Sequence, residues 1–268
     1  MIFTYLITRD IVGTLEKKIG YVLSENLKEN IQILENEFLE QFWGYIPDTV
    51  QKTALEREIM IGKIKTLSNG SFNTSVSLDN IYASNAQKFL ETTRRTNPLN
   101  GEVTLSERPG TFPLRQQIEQ LKGYSPVQLI DIGAFSGGSL LEICELLEKE
   151  EIEVQRITLG VADSAAVERI SKKIENVQAA YTFKFYEWIE LRDLWGIDGR
   201  SVGNIGKRRA FMPYWENLTE WATIAPEYEE KVQKLCKDYN LRLIAGFERE
   251  NLPPEKIGIL VKYRRRKP

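Results

Sequence analysis

A chain of 268 residues is long enough for one large core, or for a domain with an appendage. Its 42% hydrophobic and 28% charged residues match an ordinary globule, and a formal net charge of −2 gives no whole-protein reason to expect nucleic acid. The absence of histidine excludes Ser-His-Asp and Cys-His catalysis and His-ligated zinc or iron, which leaves metal chemistry to carboxylate and phosphate oxygens around a hard ion such as Mg²⁺.

Residues 1–7 can form a strand, and Arg9 and Asp10 directly after them argue against a signal peptide. From Asp10 to about Phe42, apolar residues recur at three- and four-residue steps (Ile11, Leu15, Ile19, Leu23, Leu27, Ile31, Leu34, Phe38), which predicts helix. Gly44 and Pro47 stop it, and Asp48 is a candidate N-cap for a second helix reaching Leu67. Residues 1–70 therefore read as a helical N-terminal extension. Its expected role is packing, or contact with a second copy or a protein partner.

The remainder, 71–268, reads as one α/β domain with C-terminal hood and tail elements. Residues 84–95 suit a short helix, 104–113 an exposed loop with two prolines, and 114–121 another helix. Alternation then becomes regular: strand 127–132, helix 139–149, strand 154–162, helix 165–174, strand 181–186. That order predicts a parallel, Rossmann-like sheet covered on both faces. A Gly- and Arg-rich connection from Asp193 to Arg209 follows, then a helix over 226–239 and short strands at 242–245 and 257–261. The basic end, Lys262 to Lys267, reads as a solvated tail. Cys144 and Cys236 lie among apolar neighbours and are expected to be inert buried thiols. No apolar run reaches membrane-spanning length, so a cytoplasmic location is expected.

The chemistry concentrates where strand 127–132 meets the next helix, at Asp131-Ile132-Gly133-Ala134-Phe135-Ser136-Gly137-Gly138-Ser139-Leu140. A glycine turn at a helix N-terminus is an anion site, because unpaired N–H groups and the positive end of the helix dipole point the same way. No lysine follows Gly138, which excludes a phosphate-binding P-loop. Phe135 stands where a dinucleotide fingerprint needs its second glycine. The stretch also resembles the first motif of S-adenosylmethionine-dependent methyltransferases, with Asp163 as the ribose-binding acid. Phe135 again replaces a glycine there, and Asp163 lies farther on than the roughly twenty residues usual for such an acid.

A closer match is the phosphoribosyl-diphosphate (PRPP) loop of type I phosphoribosyltransferases: two acids, three variable residues, then Thr/Ser-Gly-Gly-Thr/Ser and an aliphatic residue. Ser136-Gly137-Gly138-Ser139-Leu140 resembles the phosphate end and Asp131 the first acid, while Ile132 replaces the second. The resemblance implies that residues 133–139 (Gly133, Ala134, Phe135, Ser136, Gly137, Gly138, Ser139) hold the 5′-phosphate and that Asp131 takes a ribose hydroxyl. It further implies Mg²⁺ bound together with PRPP, transfer to a nitrogenous base or related acceptor, and no protein-held metal cage. Arg108, in Ser106-Glu107-Arg108-Pro109-Gly110-Thr111, falls at the spacing of the family's closing loop and would neutralise the diphosphate. Arg94 and Arg95 are the cations available for its pyrophosphate loop, and Trp195 or Tyr214 would stack on the acceptor from a hood. Two alternatives remain open: a methyltransferase, and a non-catalytic sensor or complex subunit on the same fold.

Overall fold

The computed structural model describes residues 2–69, 74–83, 85–97, 101–108, 110–203 and 210–252. In chain order the elements are β1 (Thr4–Arg9), α1 (Ile11–Ile19), α2 (Glu25–Phe42), β2 (Gln51–Glu56), α3 (Arg57–Ser68), β3 (Thr74–Ser77), β4 (Lys88–Phe89), β5 (Thr92–Thr96), β6 (Val103–Glu107), α4 (Leu114–Glu119) and β7 (Val127–Ala134). There follow α5 (Gly138–Lys149), β8 (Val154–Asp163), α6 (Ser164–Ser171), β9 (Asn176–Phe183), β10 (Phe185–Glu190), α7 (Leu191–Leu194), β11 (Arg200–Val202), β12 (Ala210–Met212), α8 (Leu218–Trp221) and α9 (Glu229–Arg249). The fold is α/β with a parallel sheet, and the chain forms two compact units.

The first unit holds 57–185. Its five-stranded sheet runs β4-β3-β7-β8-β9, every pairing parallel. Val127 to Ile130 of β7 are all buried, as a central strand covered on both faces requires. Leu140, Ile143, Cys144 and Leu147 of α5 join Val127, Leu129, Ile157 and Leu159 in one apolar cluster. The opposite face is closed by α3: a Cβ built on Gly160 would stand 2.7 Å from Met60 Sδ and 2.6 Å from the Ile132 carbonyl oxygen. A hairpin of β5 and β6 pairs Thr92 with Glu107 and Thr96 with Val103.

The second unit joins residues 2–56 to 186–202 and to the chain after residue 209. Its sheet runs β10-β1-β2, with β1 and β2 parallel from Thr4–Gln51 to Arg9–Glu56. The apolar stripe of α2 (Leu27, Ile31, Phe38, Phe42) is buried in one cluster with Val232, Tyr239, Leu243 and Phe247 of α9. An ion pair within this unit is closed to water: Arg192 Nη1 lies 2.9 Å from Asp10 Oδ2, with both side chains at most 3% exposed.

Several expectations change. The helix from Asp48 is instead strand β2 followed by α3, because Gln51 to Glu56 find a partner in β1. α3 belongs with the parallel sheet, so the first unit begins at Arg57, whereas the sequence reading closed a helical extension at residue 70. The long first helix is interrupted at Gly20, which takes a left-handed φ of 80°, and Ser24 caps α2. Residues 85–95 form β4 and β5 rather than a helix, since β6 supplies hydrogen-bonding partners for β5. Residues 242–245 lie inside α9, which joins the second unit. The strand expected at 257–261 and the basic tail lie outside the described residues. Cys144 and Cys236 are buried as expected; burial pushes the Cys144 thiol up to about 11 and raises Cys236 as well. Among the described residues no helix is long and apolar enough to cross a membrane.

Closure of the sheet by α3 depends on the missing side chain at Gly160. Gly160→Ala should cost about 1–3 kcal/mol by overpacking and lower the melting temperature by several degrees. An unchanged melting temperature would show that α3 does not press on this strand.

Candidate phosphate-binding site

The pairing of Asp131 with Leu159 and of Gly133 with Val161 puts Ile132 opposite Gly160, on the face that α3 covers. Ile132 is 7% exposed there, so an apolar residue at this position has a packing reason. Gly133 and Ala134 are the last residues of β7 and pair with β8. The turn itself is 135–137, and α5 starts at Gly138.

Gly137 carries a φ of 74°, and an added Cβ would lie 2.9 Å from Ile170 Cγ1 of α6, so glycine is demanded there by both conformation and packing. Gly138 differs. Its φ is not left-handed, and an added Cβ would meet only Ser136 Oγ at 3.5 Å, an ordinary contact. Among the described residues nothing requires glycine at 138. The first N–H groups of α5 lack intrahelical acceptors, and the N–H of Gly138 points to Ser136 Oγ at a long 3.4 Å. The arrangement is a small, positively polarised cradle at the end of a rigid strand.

Three charged residues converge on Asp131. Burial, then the Asp79 carboxylate, push it up to about 7, while the N–H of Ile132, Arg108 and Arg94 act in the opposite sense. The Ile132 N–H donates to Asp131 Oδ1 at 2.8 Å. Asp79 follows β3, which pairs in parallel beside β7, so it reaches the same end of the sheet. Its Oδ1 accepts from the N–H groups of Ile81 (2.7 Å) and Tyr82 (3.0 Å), and its Oδ2 lies 3.7 Å from Arg108 Nη2. Thus Asp131, Arg108 and Arg94 are brought near one another, and Asp79 is an acid that no local sequence pattern marks.

Arg169 of α6 was also unanticipated: its Nη1 donates to the Ser136 carbonyl at 3.5 Å, placing a cation beside the turn. The hood residues belong elsewhere. Trp195 is fully buried in the second unit's core, edge-on to Phe38 at 5.8 Å, and Tyr214 is edge-on to Trp221 at 5.9 Å. Asp163 caps α6 through the Ala165 N–H and accepts the Phe185 N–H, both at 2.8 Å, so both its oxygens are engaged by backbone. Pro109 and residues 204–209 lie outside the described residues.

Among the described residues no three His, Cys, Asp or Glu side chains could cage a metal. The carboxylates of Asp131 and Asp79 suit Mg²⁺ that draws its remaining ligands from water and substrate.

A carboxyl raised from 3.8 to about 7 on folding contributes its full stability below the unfolded value and loses it as pH rises toward the folded one. Asp131→Asn has no such proton to lose, so it should gain on the parent across that window. Urea midpoints at about pH 5 and about pH 8 should show the larger advantage at the higher pH. An equal difference at both would assign the titration to another group.

No family model matches the chain, and no curated protein does. Among solved structures it is similar to the orotate phosphoribosyltransferase of Aeropyrum pernix, at 12% identity over 47% of this chain and 71% of that one, with a TM-score of 0.33. It is also similar to the adenine phosphoribosyltransferases of Thermoanaerobacter pseudethanolicus (14% identity, 54% of this chain and 99% of that one, TM-score 0.32) and Rhodothermus marinus (14%, 55% and 99%, TM-score 0.32).

Proposed function

We propose that the first unit binds a phosphoribosyl group, with PRPP and Mg²⁺ as the donor, and transfers it to a base-like acceptor. The observation that carries the reading is Gly138: a glycine that neither conformation nor packing requires, at the mouth of an anion cradle. Ser136 and Ser139 would add hydroxyl donors to the 5′-phosphate, and Asp131 would accept from a ribose hydroxyl. Arg108 and Arg94 would offset charge on the leaving diphosphate. The protein's contribution would be positioning and electrostatic stabilisation, for which no imidazole is needed. Asp131 and Asp79 would help to hold Mg²⁺, which would supply further charge neutralisation.

One observation favours a second reading, binding without turnover. The turn after β3 uses two of its own peptide N–H groups on Asp79, so they are not free for a diphosphate. A methyltransferase is disfavoured by Asp163, whose oxygens are taken by backbone donors.

Gly138→Asp separates binding from folding. An acid in the first turn of a helix is favourable to the helix, yet here it puts negative charge where the phosphate would sit. Calorimetric titration of PRPP with Mg²⁺ should give binding to the parent and a loss of about 100-fold or more in the variant, with no fall in melting temperature. Absence of heat with the parent, or equal affinity in both, would sink the proposal. Binding without diphosphate release across a panel of bases would select the second reading.

A further inference from the structure

Phe135 immediately precedes the Ser-Gly-Gly-Ser run and remains 40% exposed. It is not loose. Its ring stacks on Phe185 at 5.4 Å and 25°, Phe185 meets Phe183 at 6.0 Å and 31°, and Phe183 stacks on Tyr181 at 6.2 Å and 15°. The far end of this row is closed, because the Lys63 ammonium of α3 sits 3.9 Å from the centre of the Tyr181 ring. The row therefore has one end covered by a cation and the other ending in an exposed ring on the candidate phosphate turn.

From this geometry we infer that Phe135 is a stacking platform for a single planar heterocycle, the base joined to the phosphoribosyl group held by the adjoining turn. The inference rests on the phosphoribosyl reading and adds the residue that would position the base. Three features support it. A ring braced from behind by three others loses little side-chain freedom when a ligand stacks on it, and base–aromatic stacking is a substantial source of affinity. The rings touch one another, leaving no gaps for successive bases, so the row does not suit a nucleic-acid strand. A phenyl ring offers no hydrogen-bonding group, so the platform reads the flat face of a base and not its edge; purines and pyrimidines should both be accepted.

The test compares ribose 5-phosphate with adenosine and uridine 5′-monophosphates by calorimetry on the full chain. For the parent, both nucleotides should bind about tenfold or more tightly than ribose 5-phosphate. Phe135→Leu should abolish that difference, read as the ratio of nucleotide to ribose 5-phosphate affinity within the variant itself. Phe135→Trp should retain the difference, and its added fluorescence should be quenched by the nucleotides and not by ribose 5-phosphate. Ribose 5-phosphate bound by the parent, with no nucleotide advantage or with one that survives Phe135→Leu, would overturn the platform while the phosphate site stands. Failure of the parent to bind any of the three would overturn both. Circular dichroism melts of the two variants distinguish loss of stacking from loss of fold.

Discussion

The candidate site depends on one backbone constraint: β7 must become α5 within three residues. The reversal needs a left-handed residue at Gly137, and Ile170 of α6 packs so closely there that no side chain fits. Because α6 follows β8, which is β7's neighbour in the sheet, the turn is clamped from a second crossover rather than by its own residues alone. The helix N-terminus, the Ser136 carbonyl with Arg169 against it, and the Phe135 ring are all set by this one geometry. A site on such a turn is preorganised, since little backbone entropy is left to lose on binding.

Much of that turn was legible in the sequence. An apolar run, an acid, and a glycine pair flanked by serines are local signals, and strands β7 and β8 and helix α5 fall close to where periodicity predicts them. The errors lie where the deciding partner is remote. Gln51 to Glu56 carries almost no apolar alternation and is a strand only because β1 pairs with it. Residues 242–245 hold a short apolar pair, Leu243 and Ile244, which periodicity cannot assign to strand or helix without its neighbours; in α9 these two continue a stripe buried in one cluster with α2. Trp195 looked available for stacking because it sits among glycines and arginines, yet its ring fills a core shared with Phe38 and Tyr239.

The same limit applies to charge. Asp79 and Asp131 are 52 positions apart, and only the parallel β3–β7 pairing makes them neighbours. Ile132 departs from the linear motif and is accounted for by α3, which covers its face of the sheet. Asp79 reaches the Asp131 carboxyl from beyond the adjacent strand, held in place by two backbone N–H groups.

The two units also show why a buried acid is not by itself a site. Asp10 is enclosed: Thr14 Oγ1 and the Arg192 backbone N–H donate to it, and the Arg192 guanidinium pairs with it at 2.9 Å. A carboxylate so satisfied is held in place, and serves to tie β1 to α7. Asp131 has the opposite balance. It lies within β7, accepts from its neighbour's N–H, and has a second carboxylate and two cations near enough to act on its charge. The cost of that arrangement is relieved by a proton, a cation or a hydroxyl donor from a ligand. Of the two carboxyls it is Asp10 whose charge an adjacent guanidinium offsets, at 2.9 Å, while Asp131 is pushed up to about 7.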